Sequence, residues 1–444
     1  MREQLIEKIR KAGVVGAGGA GFPTHVKVAS NAQTVVVNGA ECEPLLRVDQ
    51  QLMDVLADKM VRGLESVMMT TGATEGIIAL KSKYKSAIAS LEKEIVGKPI
   101  RITILGDFYP AGDEHLTVYE STGRLVPQGG IPLRVDCVVS NVETLINIAD
   151  AVEGKPVTDT YFTITGEVPH PLTLKLPIGT SVLEALTIAG RTNLEGMKVI
   201  EGGPMMGKII EDLAQPITKT TKGLIVLSLN HPLIQKRILS FEKIAKQAQA
   251  SCIQCRYCTD LCPRYLLGHH LEPHKIMRTI KHLQGQEETM KMALACSECG
   301  VCEQYACVMG LSPRSINTMI KRELSKMGIK PDTPPANQTA NSMQKHRKIP
   351  VKRLISRLGL KNYDVSAPLS EEEYPVNQVE IKLRQHVGAP SQAIVQVGQR
   401  VQKGDLIAVI PDKALGANIH ASISGVIKEI TDSIVISLME GSDK

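Results

Sequence analysis

The first 150 residues alternate short apolar runs with longer amphipathic ones. TVVVNG at Thr34 to Gly39, IRITILGD at Ile100 to Asp107 and VDCVVSN at Val135 to Asn141 read as buried strands. Periodic stretches such as Asp49 to Met69 and Lys83 to Ile95 read as helices between them. Buried strands separated by helices predict an α/β domain with a largely parallel sheet over residues 1–158. The pattern then changes. A hairpin-like YFTITGEVPHPLTLKLP from Tyr161, a helix from about Ser181 to Ala189 and the run VIEGGPMMGKII predict a small α+β module over 159–230. Residues 231–329 are helical in pattern. Lys330 to His346 is rich in Pro, Asn, Gln and Thr, which predicts a linker within 330–375, and residues 376–444 return to short strands broken by glycine. VQVGQRVQKGDLIAVI and IHASISGVIKEI put a glycine at a turn between alternating apolar positions, as in a small β sandwich or barrel.

Composition narrows the class. The chain has 444 residues, 43% hydrophobic and 22% charged, values that exclude wholesale disorder, collagen and coiled coil. With no Trp, four Phe and nine Tyr, the core must be aliphatic and base-stacking platforms are scarce. The net charge of +6, from 52 basic and 46 acidic residues, is too mild and dispersed to argue for nucleic acid. No apolar run approaches the roughly 18 residues of a membrane span, and Met1 to Gly13 is charged throughout, unlike a secretory leader. Eight of the ten cysteines fall between Cys252 and Cys307, which points to a metal site in a reducing, cytosolic compartment rather than to disulfides.

Those eight carry the sharpest signal. Cys252, Cys255, Cys258 and Cys262 follow C-x2-C-x2-C-x3-C with Pro263 directly after, the run of bacterial two-cluster ferredoxins. Cys296, Cys299, Cys302 and Cys307 repeat it with one extra residue and no proline. Paired C-x2-C motifs also build structural zinc sites, but two triplets with a trailing fourth cysteine supply the eight ligands that two [4Fe-4S] cubanes need. In that ferredoxin run the fourth cysteine crosses over. Cys307 is therefore expected to complete the first cluster with Cys252, Cys255 and Cys258, and Cys262 the second with Cys296, Cys299 and Cys302. Cys42 and Cys137 read as core residues, and His269, His270 and His274 as a solvated face.

A second signal is the loop GVVGAGGAGFPTHVK, with five glycines between Gly13 and Gly21. Glycines let the backbone approach a ligand and turn N–H groups toward an anion, and Lys27 adds positive charge for a phosphate. NGAECEP, YPAGDE and SNVETL each follow an apolar strand. Ligands of open α/β sheets bind at the carboxyl ends of strands, so these loops are expected to share one crevice. Lys27 and Glu114 are expected at opposite ends of its ligand.

GAGGAGFPT, NGAECEP, YPAGDE and SNVETL, in this order, resemble the flavin- and NADH-binding loops of the NADH-oxidising subunit of respiratory complex I and of the Rnf complex C subunit. Tyr161 to Leu229 with GGPMMG resembles their β-grasp SLBB module, and LRQHVGAP through GANIHASISG resembles the Rnf barrel-sandwich hybrid, which here lies at the carboxyl end. That order is most similar to the PduS-type cobalamin reductases of propanediol-utilisation microcompartments.

The resemblance implies a multidomain α/β plus α+β fold: a Rossmann-like FMN/NADH-binding domain, the SLBB β-grasp, a helical two-cluster ferredoxin domain and a terminal barrel-sandwich hybrid. It assigns Gly16, Gly18, Lys27, Asn38, Glu41, Tyr109, Gly112, Asp113, Glu114, Asn141 and Thr144 to FMN, and Phe22 and Glu43 to NADH. No residue is assigned a catalytic role. Ala17 and Ala40 stand where complex I has Arg and Asp, which implies looser flavin retention. The implied activity passes electrons from NADH through FMN and two clusters to cobalamin, stepwise from cob(III)alamin to cob(I)alamin, for a microcompartment diol dehydratase. Implied partners are NADH, cobalamin or a cobalamin-handling adenosyltransferase, and a shell protein. The alternative is an electron conduit or an Rnf C-like subunit that serves another acceptor.

Overall fold

A computed structural model describes residues 1–280, 286–331 and 338–438. Its first layer is a four-stranded parallel sheet in the order Ile100–Leu105, Glu75–Lys81, Thr34–Gly39, Cys137–Asn141. Val35, Val37, Ile78 and Val138 pack on one face and Val36, Ile77, Ala79 and Val139 on the other. Both faces are covered, so these strands read as unbroken apolar runs and not as alternation. Glu75–Lys81 is a strand that the sequence pattern did not separate from its helical neighbours, because a short apolar run fits either structure.

The stretch expected as one helix from Asp49 to Met69 is two, Val48–Val55 and Ala57–Thr71, broken at Leu56. Gly63 in the second lies against Val142–Val152. A side chain there would sit within 2.0 Å of the Leu145 carbonyl oxygen, so glycine sets how closely these helices approach.

Residues 159–228 form a five-stranded mixed sheet in the order Leu172–Pro177, Asp159–Gly166, Gly223–Ser228, Met197–Glu201, Lys208–Ile210, with the helix Val182–Ile188 capped by Ser181. The cysteine region is a set of short helices closed by the longer Pro313–Lys326. The carboxyl-terminal part holds a four-stranded sheet, Gln378–Lys382, Ser433–Ser437, Gly425–Ile430, Arg400–Val401, and a three-stranded one.

The linker expectation for 330–375 needs correction. Residues 332–337 lie outside the described residues, but from Gln338 the chain is fastened down. Gln338 donates to the Val126 and Leu267 carbonyls, Ile349–Pro350 pairs with Phe108–Tyr109, and Val351–Arg357 is a helix whose Leu354 is fully buried. Amide side chains anchor its polar start, and Ile349, Val351, Leu354, Ile355, Leu358 and Leu360 beyond it join a buried apolar cluster with Leu45 and Ile225. Nor is the terminal barrel a separate body. Ile381, Ile407, Ile427 and Ile436 share one apolar core with Ile9, Val157 and Ile178 of the amino-terminal half.

Candidate functional site

NGAECEP and SNVETL leave the carboxyl ends of the parallel strands Thr34–Gly39 and Cys137–Asn141, YPAGDE follows Ile100–Leu105 by way of the short Phe108–Tyr109, and the glycine loop joins the helices Arg2–Lys11 and Thr24–Val28. Asn38, at the end of its strand, donates from Nδ2 to the Gly112 carbonyl at 2.9 Å and so ties NGAECEP to YPAGDE. Asn141 caps the helix Val142–Val152 and donates to Asp49 at 2.8 Å. The Ala17 amide donates to Thr144 Oγ1 at 2.9 Å, which pins the glycine loop to the same helix. Gly16 donates to the Phe22 carbonyl and makes this loop a closed turn. Gly18, Gly19 and Ala20 are exposed at its tip.

Two expected placements differ from the structure. Lys27 and Glu114 do not stand at opposite ends of a ligand: Lys27 donates to the Val139 carbonyl at 2.9 Å and lies 3.6 Å from the Glu114 carboxylate. Glu43 does not face an open nucleotide site either. Its carboxylate accepts from the Met205 and Met206 amides at 2.8 and 2.9 Å, so it joins the first domain to the GGPMMG loop. Burial raises its pKa against those amides and the nearby Arg237. Phe22 remains on the rim, partly exposed.

Beneath the loops lies a charge network that sequence reasoning did not find. Glu41, with φ 31°, accepts from the Asp49 and Gln50 amides at the start of Val48–Val55. Burial, reinforced by Asp49, lifts its pKa to about 7. Lys222 contacts Glu143, and burial lowers its pKa to about 8 against the pull of Asp49 and Glu41. Lys222 comes from the second module, so no local spacing could have marked it as a partner of the first.

The cysteines assemble as two cavities. Cys252, Cys255, Cys258 and Cys307 line one; Cys262, Cys296, Cys299 and Cys302 line the other. Gln254 and Arg256 in the first repeat, and Glu298 and Gly300 in the second, have positive φ, so each C-x2-C segment curls around its cavity. Gln254 Nε2 donates to Cys252 Sγ at 3.2 Å, the Glu298 amide to Cys296 Sγ at 3.3 Å and the Leu311 amide to Cys307 Sγ at 3.3 Å. Burial pushes the Cys258 and Cys262 thiols up to about 12, with neighbouring cysteines adding to it. Sulfurs that accept N–H groups, set beside the buried Cys258 and Cys262 thiols whose ionisation needs a counter-charge, suit iron, which stabilises the thiolate. His269 is not on a solvated face: it is buried, with its ring 5.3 Å from that of His115, and burial lowers its pKa to about 4. Cys137 is buried as expected, and Cys42 packs half-buried beside Gly112.

Comparison with known proteins agrees with this layout. The Nuo51 FMN-binding domain family matches residues 9–150, the SLBB domain 161–208, the 4Fe-4S dicluster domain 251–312 and the RnfC barrel sandwich hybrid domain 359–441. A protein of Salmonella typhimurium, "Cobalamin reductase PduS", is 48% identical over 98% of this chain and 96% of its own length. This chain belongs to the PduS cobalamin reductase family. More distant is a component of the proton-translocating ferredoxin:NAD(+) oxidoreductase complex of Clostridium ljungdahlii, 35% identical over 60% of this chain and 56% of its own. An NAD+-reducing [NiFe]-hydrogenase structure shares the fold at TM-score 0.50 and 20% identity, over 76% of this chain and 65% of that one. The family carries FMN and iron–sulfur clusters through its FMN-binding and dicluster domains. Among the described residues no helix is long and apolar enough to cross a membrane.

Proposed function

We propose that this chain takes hydride from NADH at an FMN held by the amino-terminal loops and passes single electrons through two [4Fe-4S] clusters to cobalamin. The observation that carries the reading is near-full-length identity to a cobalamin reductase. Bound FMN converts a two-electron hydride into single electrons, and the cubanes carry them. The chain's own residues do the rest. Asn38 and Gly112 hold the two walls together, Ala17 and Thr144 fix the glycine turn, and the Gly18–Ala20 tip presents exposed backbone to the ligand. The eight cysteines hold the cubanes in the two sets that line the cavities, and burial of most of them keeps water from the iron.

We assign the finer architecture as a Rossmann-like first domain over 1–158, a β-grasp over 159–230, a ferredoxin-like region over 231–329 and the barrel from 376, with 338–375 as a strap. A cytoplasmic setting at a microcompartment, with a shell protein or an adenosyltransferase as partner, follows from the family resemblance alone. The test is anaerobic: reconstituted protein, NADH and hydroxocobalamin, followed by the visible spectrum of the corrin. Reduction that requires both FMN and iron is expected. A protein that reduces ferricyanide with NADH but leaves the corrin oxidised would favour the electron-conduit alternative.

A further inference from the structure

The two cysteine cavities are not equivalent in their surroundings. The one lined by Cys262, Cys296, Cys299 and Cys302, here the inner cavity, is tied to the flavin-side wall twice. Tyr109 of YPAGDE is buried and donates from its hydroxyl to the Cys299 carbonyl at 2.6 Å. Asp113 of the same loop pairs with Arg264, two residues beyond Cys262, at 2.9 Å, with side chains only 7% and 11% exposed. Burial raises the Asp113 pKa, but Arg264 and His115 outweigh it and hold the carboxyl below its usual range. A third contact comes from Arg314, which lines the inner cavity and donates to the carbonyls of Met205 and Met206, the residues whose amides hold Glu43.

The other cavity, here the outer one, is the one that opens toward solvent: all four cysteines of the inner cavity are buried, whereas of the outer four only Cys258 is. Cys255 is exposed, and Ile253, Tyr257, Val308 and Met309 around it are 45–61% exposed. The cavities adjoin each other, since Cys262 and Cys307 both act on the Cys258 thiol.

We infer that electrons enter the dicluster region through the inner cavity and leave through the outer one, with Tyr109 and the Asp113–Arg264 pair as positioning residues that hold the flavin wall against Cys299. This order rests on the FMN and cubane sites proposed above. Electron transfer slows steeply with distance, so the cavity bonded to the flavin wall receives first. The balance closes within the molecule. One hydride brings two electrons and a proton; each cubane is reduced by one electron, and the proton goes to water. The acceptor then draws both electrons from the solvent-facing cubane, one at a time.

The test uses the full chain, reconstituted anaerobically, with no cobalamin present, so it is independent of the acceptor. FMN and iron are measured first; a parent protein without FMN, or without about eight irons, overturns the site reading and the order with it. NADH is then mixed in, samples are frozen at intervals, and cluster reduction is read by EPR against dithionite as full reduction, with flavin bleaching read in parallel. In Cys255→Ala the remaining cubane should be reduced at the parent rate. In Cys296→Ala the flavin should bleach while the remaining cubane is reduced by NADH an order of magnitude more slowly, yet fully by dithionite. Parent-rate reduction of that cubane in Cys296→Ala, or its failure in Cys255→Ala, overturns the order. Because a cysteine variant can lose both clusters, Arg264→Gln gives a second test that keeps all eight ligands. The ratio of cluster reduction to flavin bleaching should fall several-fold, with recovery in Arg264→Lys; an unchanged ratio overturns the positioning role.

Discussion

All eight cysteines of the two cavities come from residues 252–307, whereas the loops proposed for flavin run from Gly16 to Thr144 and are braced by groups from the second module and the barrel. In the cysteine region each C-x2-C segment brings its own positive-φ residue, and the first segment of each repeat brings its own N–H···S donor. The crevice is assembled from a distance. Lys222 of the second module neutralises Glu143 of the first, Glu43 reaches Met205, and the buried Lys219 donates to the carbonyls of Gly13 and of Asn418 in the barrel. A site that a short segment wraps around survives changes elsewhere in the chain; a site held by several domains reports on each of them.

The largest expected effect breaks the local site without touching the assembled one. Cys258→Ala should lower iron and sulfide from about eight to about four per chain, or further if the adjoining cubane is disturbed, while flavin content stays at the parent level. Iron, sulfide and flavin analysis of one preparation decides it.

The converse comes next. Gly18→Val places a branched side chain where its Cβ lies 2.9 Å from the Asn141 amide, which would leave Asp49. The φ at Gly18 is not in the left-handed region, so the effect is steric and not backbone strain. FMN affinity should fall by roughly tenfold or more, about 1.4 kcal/mol, with iron unchanged. Ultrafiltration followed by flavin fluorescence measures it.

The third prediction concerns the barrel junction. Burial lowers Lys219 to about 7, from about 10.4 in an unfolded chain. Between those values the unfolded chain binds more protons, so this group makes stability rise with pH across that window; below about 7 its full penalty applies. Lys219→Met leaves two buried carbonyls without a donor, a cost of about 2 kcal/mol, and removes the slope. The melting temperature of the parent relative to the variant should therefore climb as pH is raised from about 7 toward 9. A parallel pair of curves would place the proton linkage elsewhere.

The smallest effect is a control. Lys403 and Asp159 pair at 2.8 Å across the same junction, but Lys403 is 46% exposed, so Lys403→Ala should change stability by less than about 1 kcal/mol and neither cofactor content. A larger loss in a thermal melt would mean that the junction is held by its surface and not by its buried contacts.

Much of this protein was legible in the chain itself. The cysteine spacing predicted two four-thiol sets with Cys262 and Cys307 crossing over, and the same two sets line the two cavities, because such a pattern is short-range and the intervening residues have little freedom. The apolar runs gave the parallel strands and hence the edge at which the loops gather, since a strand buried on both faces must be apolar throughout. Only the tertiary structure decided that Lys27 sits beside Glu114, that Glu43 serves the GGPMMG loop, that Lys222 and Lys219 reach the first domain from the second module, and that the stretch after Gln338 is a strap. These depend on which groups must be paired once water is removed. A buried carboxylate or amine finds its partner by position in space, and residues this far apart in sequence leave no spacing to read.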